Sequence, residues 1–250
     1  MRYSVLTYNF GGYEPVREIW EKDPEAEYIL VTDDVKAQSA TWHIIYQQYD
    51  DNTTVWDKCY NVRFRPFLYV HTDIVIRLDA SIEIRKPLKT IIDEFELGQY
   101  DRCMMIHPER KRIRDEYGAW CELRGYPHEQ AAKMMAIMAK LGYNVLNPGL
   151  FQACFEVVRK NRTNDLVNDI TFDLLRYAAA DGHIQRINQT WRTMVINHLF
   201  KDELKVLPVS QNIITDGDMM QWHYHGGNEP ITTKPSITPI MFGKPIKPWW

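Results

Sequence analysis

The chain has 250 residues, 45% hydrophobic and 25% charged, the make-up of an ordinary globular protein with enough length for one large α/β domain or two small ones. Thirty basic residues stand against 33 acidic ones, a net charge of −3, which removes any broad electrostatic reason to expect a nucleic-acid partner. Nothing approaches the ~20 consecutive apolar residues of a transmembrane helix. The first residues read as a strand and a turn, not as a signal peptide. Four scattered cysteines (Cys59, Cys103, Cys121, Cys154) form no CxxC pair, so structural zinc is not expected, and reduced thiols in a cytoplasmic protein are. Without a secretion signal, the N-x-T sequons at Asn52, Asn161 and Asn188 carry little weight.

In chain order, "YSVLTYNF" (3–10) predicts a strand, broken by Gly11 and Gly12. "EPVREIWEK" (14–22) predicts a short helix with Pro15 in its first turn. "EYILVTDD" (27–34) is a second strand ending on two aspartates, and "TWHIIYQQY" (41–49) a third. "RFRPFLYVHTD" (63–73) predicts a helix beginning near Pro66. "DIVIRLDASIEIRKPL" (73–88) opens as a buried central strand, with Ile74, Val75, Ile76 and Leu78 nearly continuous. Pro87 then starts an amphipathic helix closed by Gly98, and 102–108 forms another strand.

Further along, "HEQAAKMMAIMAKLG" (128–142) places Ala131, Met134, Met135, Met138 and Leu141 on one helix face, with Gly142 as cap. Its methionines read as core. The segment 144–160 predicts a turn and a strand, and 164–182 a helix with Asn164 as N-cap. The Pro- and Lys-rich residues 231–250 read as an extended tail that reaches over the body, a membrane surface or a partner. Alternating strands and helices without a linker predict a single α/β domain over 1–230 with a mostly parallel sheet.

In such sheets, ligands bind beyond the carboxyl ends of the strands. There the sequence sets Thr7, Tyr8 and Asn9, then Asp33 and Asp34, then Asp79. A strand-ending aspartate is usually a turn former. Far downstream, however, "QWHYHGGNEP" (221–230) supplies His223 and His225, either able to complete a metal site begun at Asp79. Gly226 and Gly227 there let backbone amides approach a phosphate. Mg²⁺ and Mn²⁺ favour such oxygen-rich sites on a diphosphate.

Together these segments resemble the nucleotide-sugar glycosyltransferases of the GT-A fold, a Rossmann-like single domain in which a D-x-D motif holds a divalent metal on the donor diphosphate. Asp79-Ala80-Ser81 stands where that motif belongs, and His223 to Pro230 is similar to the late H-F-x-G-x-x-K-P segment of glycogenin-like family 8 enzymes. "RLDASIEI", "IHPER" and "INQTW" are similar to a hexosyltransferase-like domain of bacterial and plant proteins. The likeness spans roughly residues 3 to 230. It implies a nucleotide-sugar donor, UDP-linked, a glycan or lipid-linked acceptor, a role in surface-polysaccharide synthesis, and Mn²⁺ or Mg²⁺ held by Asp79, Ser81, His223 or His225. The departures are Ser81 in place of the second acid, Glu229 in place of the lysine, and Asn188 in place of an aspartate.

Transfer needs a stabilised leaving group and, for an inverting enzyme, a base on the acceptor hydroxyl. Arg63, Arg65, Arg77 or a basic residue of "PERKRIR" (108–114) is a candidate for the phosphates. Glu116 or Asp115 is the candidate base, His107 and Arg110 enter the crevice, and Asn188 and Gln189 hold the sugar. Trp120, Trp191 and Trp222 offer faces for sugar rings. Two other readings stand beside transfer: a nucleotidyltransferase, disfavoured because "NFGGYEPVRE" lacks a lysine, and a non-catalytic carbohydrate-binding protein of the same fold.

Overall fold

The computed structural model describes residues 1–123, 126–180, 188–215 and 219–223. The predicted tail lies outside them. The strands are β1 (Tyr3–Asn9), β2 (Ala26–Thr32), β3 (His43–Tyr46), β4 (Ile74–Leu78), β5 (Ile82–Ile84), β6 (Arg102–Ile106), β7 (Phe151–Arg159), β8 (Val206–Val209) and β9 (Met220–Trp222). The helices that matter for the site are α1 (Val55–Phe64), α2 (Lys89–Leu97), α3 (Ile113–Gly118), α4 (His128–Lys140), α5 (Arg162–Ala180) and α6 (Asn188–Met194).

Seven strands form one sheet in the order β3-β2-β1-β4-β7-β6-β8, and β5 pairs with β9 in a separate two-stranded sheet. Only β7 runs against its neighbours in the large sheet. The expected mostly parallel α/β architecture is present.

The pleat divides the core. Tyr3 and Val5 of β1 and Ile74, Ile76 and Leu78 of β4 join the cluster under one face, with Ile91, Ile92 and Phe95 of α2. Leu6, Tyr8 and Val75 point the other way, as period two requires. On that second face α4, α5 and α6 contribute Met134, Met138, Phe172, Leu175 and Trp191. The methionines of α4 are core.

Three local expectations change. No helix forms over 14–22. There Ile19 N–H donates to Thr41 Oγ1 at 3.0 Å, and the Arg17 carbonyl accepts from Trp42 Nε1 at 2.8 Å, so side chains take backbone groups a helix would use. The helix expected after Pro66 instead precedes it. α1 begins where Thr54 Oγ1 accepts from Asp57 N–H at 3.1 Å, and beyond Phe64 only a 3₁₀ turn over Pro66–Leu68 follows. The N-cap of α5 is Asn161, whose Oδ1 accepts from Asn164 N–H at 2.8 Å. Gly142 closes α4 as expected, at φ 84°, with Tyr143 N–H returning to the Met138 carbonyl at 3.0 Å. No described helix is long and apolar enough to cross a membrane.

Candidate functional site

β1 connects to β2 on one side while β4 lies on its other side, so the strand order reverses between β1 and β4 and opens a crevice at their carboxyl ends. Asp79 is the first residue past β4. Its N–H donates to the Cys154 carbonyl of β7 at 2.9 Å, and its own carbonyl accepts from Ile82 N–H at 2.9 Å. Ala80 and Ser81 are small because they sit inside this tight turn. The turn is tied to the downstream segment: His223 N–H donates to the Ser81 carbonyl at 2.8 Å, next to the β5–β9 pairing.

The last turn of α1 delivers Arg63 into the crevice floor. Its Nε donates to the Tyr8 hydroxyl at 2.6 Å, its Nη1 to Asn188 Oδ1 at 2.9 Å, and its Nη2 to the Asp79 carboxylate. Four elements (β1, α1, β4 and α6) thereby meet on one guanidinium. Arg63 is buried, whereas the Asp79 side chain keeps 36% of its surface exposed. Asp79 is therefore the acidic member of the group that is open to the crevice. Burial opposes the charge on Arg63, but Tyr8 and Asp79 beside it hold its pKa above the ordinary arginine value. Burial also raises the Tyr8 hydroxyl, which stays protonated.

Behind this floor, Arg77, Arg102 and Arg192 all pair with Glu156 of β7, and every one of the four is at most 2% exposed. Arg102 also donates to Asn164 and Asn168 Oδ1, each at 2.9 Å, and Arg77 to the Arg63 carbonyl at 2.8 Å. Arg192 lies 4.7 Å from the Phe64 ring centroid. Three buried cations share one buried anion. Burial pushes Arg77 and Arg102 well below the usual arginine range; burial and then the charge of Arg63 bring Arg192 to about 9. The result is a surplus of positive charge in a low-dielectric layer directly behind Asp79.

The remaining strand-end residues have structural partners. Thr7 Oγ1 donates to the Leu78 carbonyl at 3.2 Å, and Asn9 Oδ1 accepts from Glu14 N–H at 3.1 Å. Asp33 pairs with Lys58 at 2.8 Å and accepts from Gly11 N–H at 2.9 Å. Asp34 closes its own turn on Lys36 N–H at 2.8 Å. The enclosed space flanked by Thr7, Asn9, Arg17 and Ala80 is only about 10 Å³, room for one water.

The carboxyl end of β6 holds a second polar group, built differently from expectation. His107 is buried. Its Nδ1 accepts from the N–H groups of Glu109 (3.3 Å) and Arg110 (3.0 Å), and its Nε2 from Arg110 Nε at 2.9 Å. Burial first, and Arg110 second, push its pKa down to about 3. Glu116 is buried on Arg110 at 2.8 Å. Asp115 caps α3, accepting from the N–H groups of Lys111 (3.1 Å) and Arg112 (3.0 Å). Neither carboxylate is presented to the crevice as a free base, and His107 and Arg110 are spent on each other.

The tryptophan expectation also changes: Trp120 (1% exposed) and Trp191 (0%) are core and present no face to a sugar. Asn188 and Gln189 open α6 and are partly exposed, with Asn188 engaged by Arg63. His225, Gly226, Gly227 and the side chain of Trp222 lie outside the described residues.

The described residues do not fit the metal that the likeness to a D-x-D motif implies. Asp79 is taken by Arg63, and position 81 offers a hydroxyl. The His223 ring turns to Glu83, with Nε2 3.4 Å from Oε2. Among the described residues no three His, Cys, Asp or Glu side chains converge as a metal site would require. Sequence reasoning missed Lys58, Glu156 and Arg192. Glu156 was legible only as a charge inside the otherwise apolar run 150–158. No protein-family model matches the chain, and no curated protein matches it significantly.

Proposed function

We propose that the chain is a glycosyltransferase of GT-A type that moves a sugar from a nucleotide-linked donor, UDP-linked by preference, to a glycan or lipid-linked acceptor. The observation that carries this reading is the Arg63–Asp79–Tyr8–Asn188 group at the point where the strand order reverses, backed by surplus buried positive charge. In transfer, the bond between the anomeric carbon and the diphosphate oxygen breaks, a bond to the acceptor oxygen forms, the acceptor hydroxyl's proton passes to the departing diphosphate, and negative charge builds on that diphosphate. The field of Arg63, Arg77, Arg102 and Arg192 favours that charge without reorganising. Asp79, the exposed carboxylate, is suited to hold sugar hydroxyls. No step is routed through a metal.

The test is a panel of nucleotide sugars incubated with the purified chain and read by release of nucleoside diphosphate. Release from one donor class, lost in Asp79→Ala and in Arg63→Ala, supports transfer.

The engagement of Asp79 by Arg63 favours a second reading, a carbohydrate-binding protein that keeps the fold without turnover. Thermal stabilisation by saccharides, with none by UDP or its sugar conjugates, would favour that reading over transfer.

A further inference from the structure

A second cleft lies away from Asp79, between the loop 50–54, α1 and the second half of α5, with a volume of about 750 Å³. That is within the roughly 300–1,000 Å³ of small-molecule sites. Its apolar wall is aromatic: Trp56 partly exposed, Tyr60 and Phe172 at its back. Trp56 and Tyr60 tilt against each other at 6.2 Å between centroids. Arg65 and Arg176, both exposed, hold their guanidinium carbons 5.6 and 5.7 Å from the Phe172 centroid. Asp51 and Asn61 add acceptors and an amide at the rim.

The geometry points to a neutral oligosaccharide as the ligand of this cleft. A pyranose ring has an apolar C–H face, which an aromatic side chain covers, and a rim of hydroxyls that both donate and accept. Aspartate, asparagine and arginine together answer both roles. A phosphorylated or uronic ligand fits less well, because three aspartates of the lining oppose two arginines. An apolar peptide would leave those charges buried and unpaired.

One helix serves both places. α1 sends Arg63 to Asp79 while Trp56 and Asn61 line the cleft. The loop 50–54 follows β3 and so stands at the same carboxyl edge of the sheet as the crevice. The cleft is thus placed as the acceptor site of transfer. That last role rests on the glycosyl-transfer reading, whereas saccharide binding itself does not.

Isothermal titration of the full chain with cellotetraose, maltotetraose and chitotetraose, without nucleotide, is the test. We expect saturable millimolar or tighter binding of at least one, weakened at least tenfold in both Trp56→Ala and Arg176→Ala, with the melting temperature of Arg176→Ala unchanged. Absence of binding by all three, or full affinity retained in either variant, overturns the assignment. UDP-induced thermal stabilisation of both variants is measured in parallel. Its persistence when saccharide binding fails separates loss of this cleft from loss of the donor reading.

Discussion

Arg63 and Asp79, sixteen positions apart, are joined by a charge-assisted hydrogen bond at the crevice floor, and the same guanidinium also holds Tyr8 and Asn188. A single planar fork fixes three strand- and helix-borne groups, which a lysine's point charge cannot do.

Replacement of Arg63 therefore has two expected effects. Arg63→Ala removes the donor to the buried Tyr8 hydroxyl and to Asn188 Oδ1, leaves Tyr8 only its 3.5 Å contact to Asp79, and should destabilise by about 2–3 kcal/mol, below the range for a fully buried pair because Asp79 is partly solvated. Arg63→Lys should recover part of the stability in urea denaturation and little of the UDP-induced thermal shift. Full recovery of both would mean that charge alone matters.

Glu156 is the carboxylate with which all three buried arginines form ion pairs, so Glu156→Gln should destabilise by roughly 3–5 kcal/mol, a large part of the stability of an ordinary domain. The double variant Glu156→Leu with Arg77→Leu should be less destabilised than the sum of its singles. Additive singles, measured by denaturant midpoints, would mean the two charges are not coupled.

His107 gives a sign for pH dependence. Its folded pKa, about 3, lies below the ordinary value of 6.5, so below pH 6.5 the unfolded chain binds the proton more readily. The stability from neutral His107 is present above that value and is lost as pH falls toward 3, at about 1.4 kcal/mol per unit in the middle of the window. His107→Gln should flatten the fall in melting temperature between pH 6.5 and 4. An unchanged slope would assign the acid sensitivity elsewhere.

Because Asp79 is engaged by Arg63 and His223 by Glu83, stabilisation by UDP should persist in EDTA. A shift that appears only with Mn²⁺ would mean that donors beyond the described residues complete a metal site.

The helices α2, α4 and α5 and the strand ends that meet at the crevice could be read in advance because period and position carry them. The α4 stripe, the apolar run of β4 and its terminal aspartate are local features. α1 escaped notice because its apolar residues, Val55, Trp56, Cys59, Tyr60, Val62 and Phe64, spread around the helix and follow no single stripe. Arg77 reads as a candidate for the phosphates, and nothing local marks Arg102 or Arg192 for burial. Only the meeting of β4, β6, β7 and α6 around Glu156 buries them. The segment 106–125 looked like a charged rim reaching for substrate, yet Arg110 pairs with Glu116 and Arg112 with Asp115 within it.

The antiparallel strand β7 also shapes how the chain emerges during synthesis. Residues 1–78 can pair β3, β2, β1 and β4 as soon as they are available, but the outer edge of β4, with Arg77 on it, has no neighbour until Glu156 is made. An apolar, unpaired strand edge waits through that interval, open to pairing with another copy. Truncations ending between residues 80 and 150 should therefore aggregate, with the charge of Arg77 in the unpaired strand opposing it.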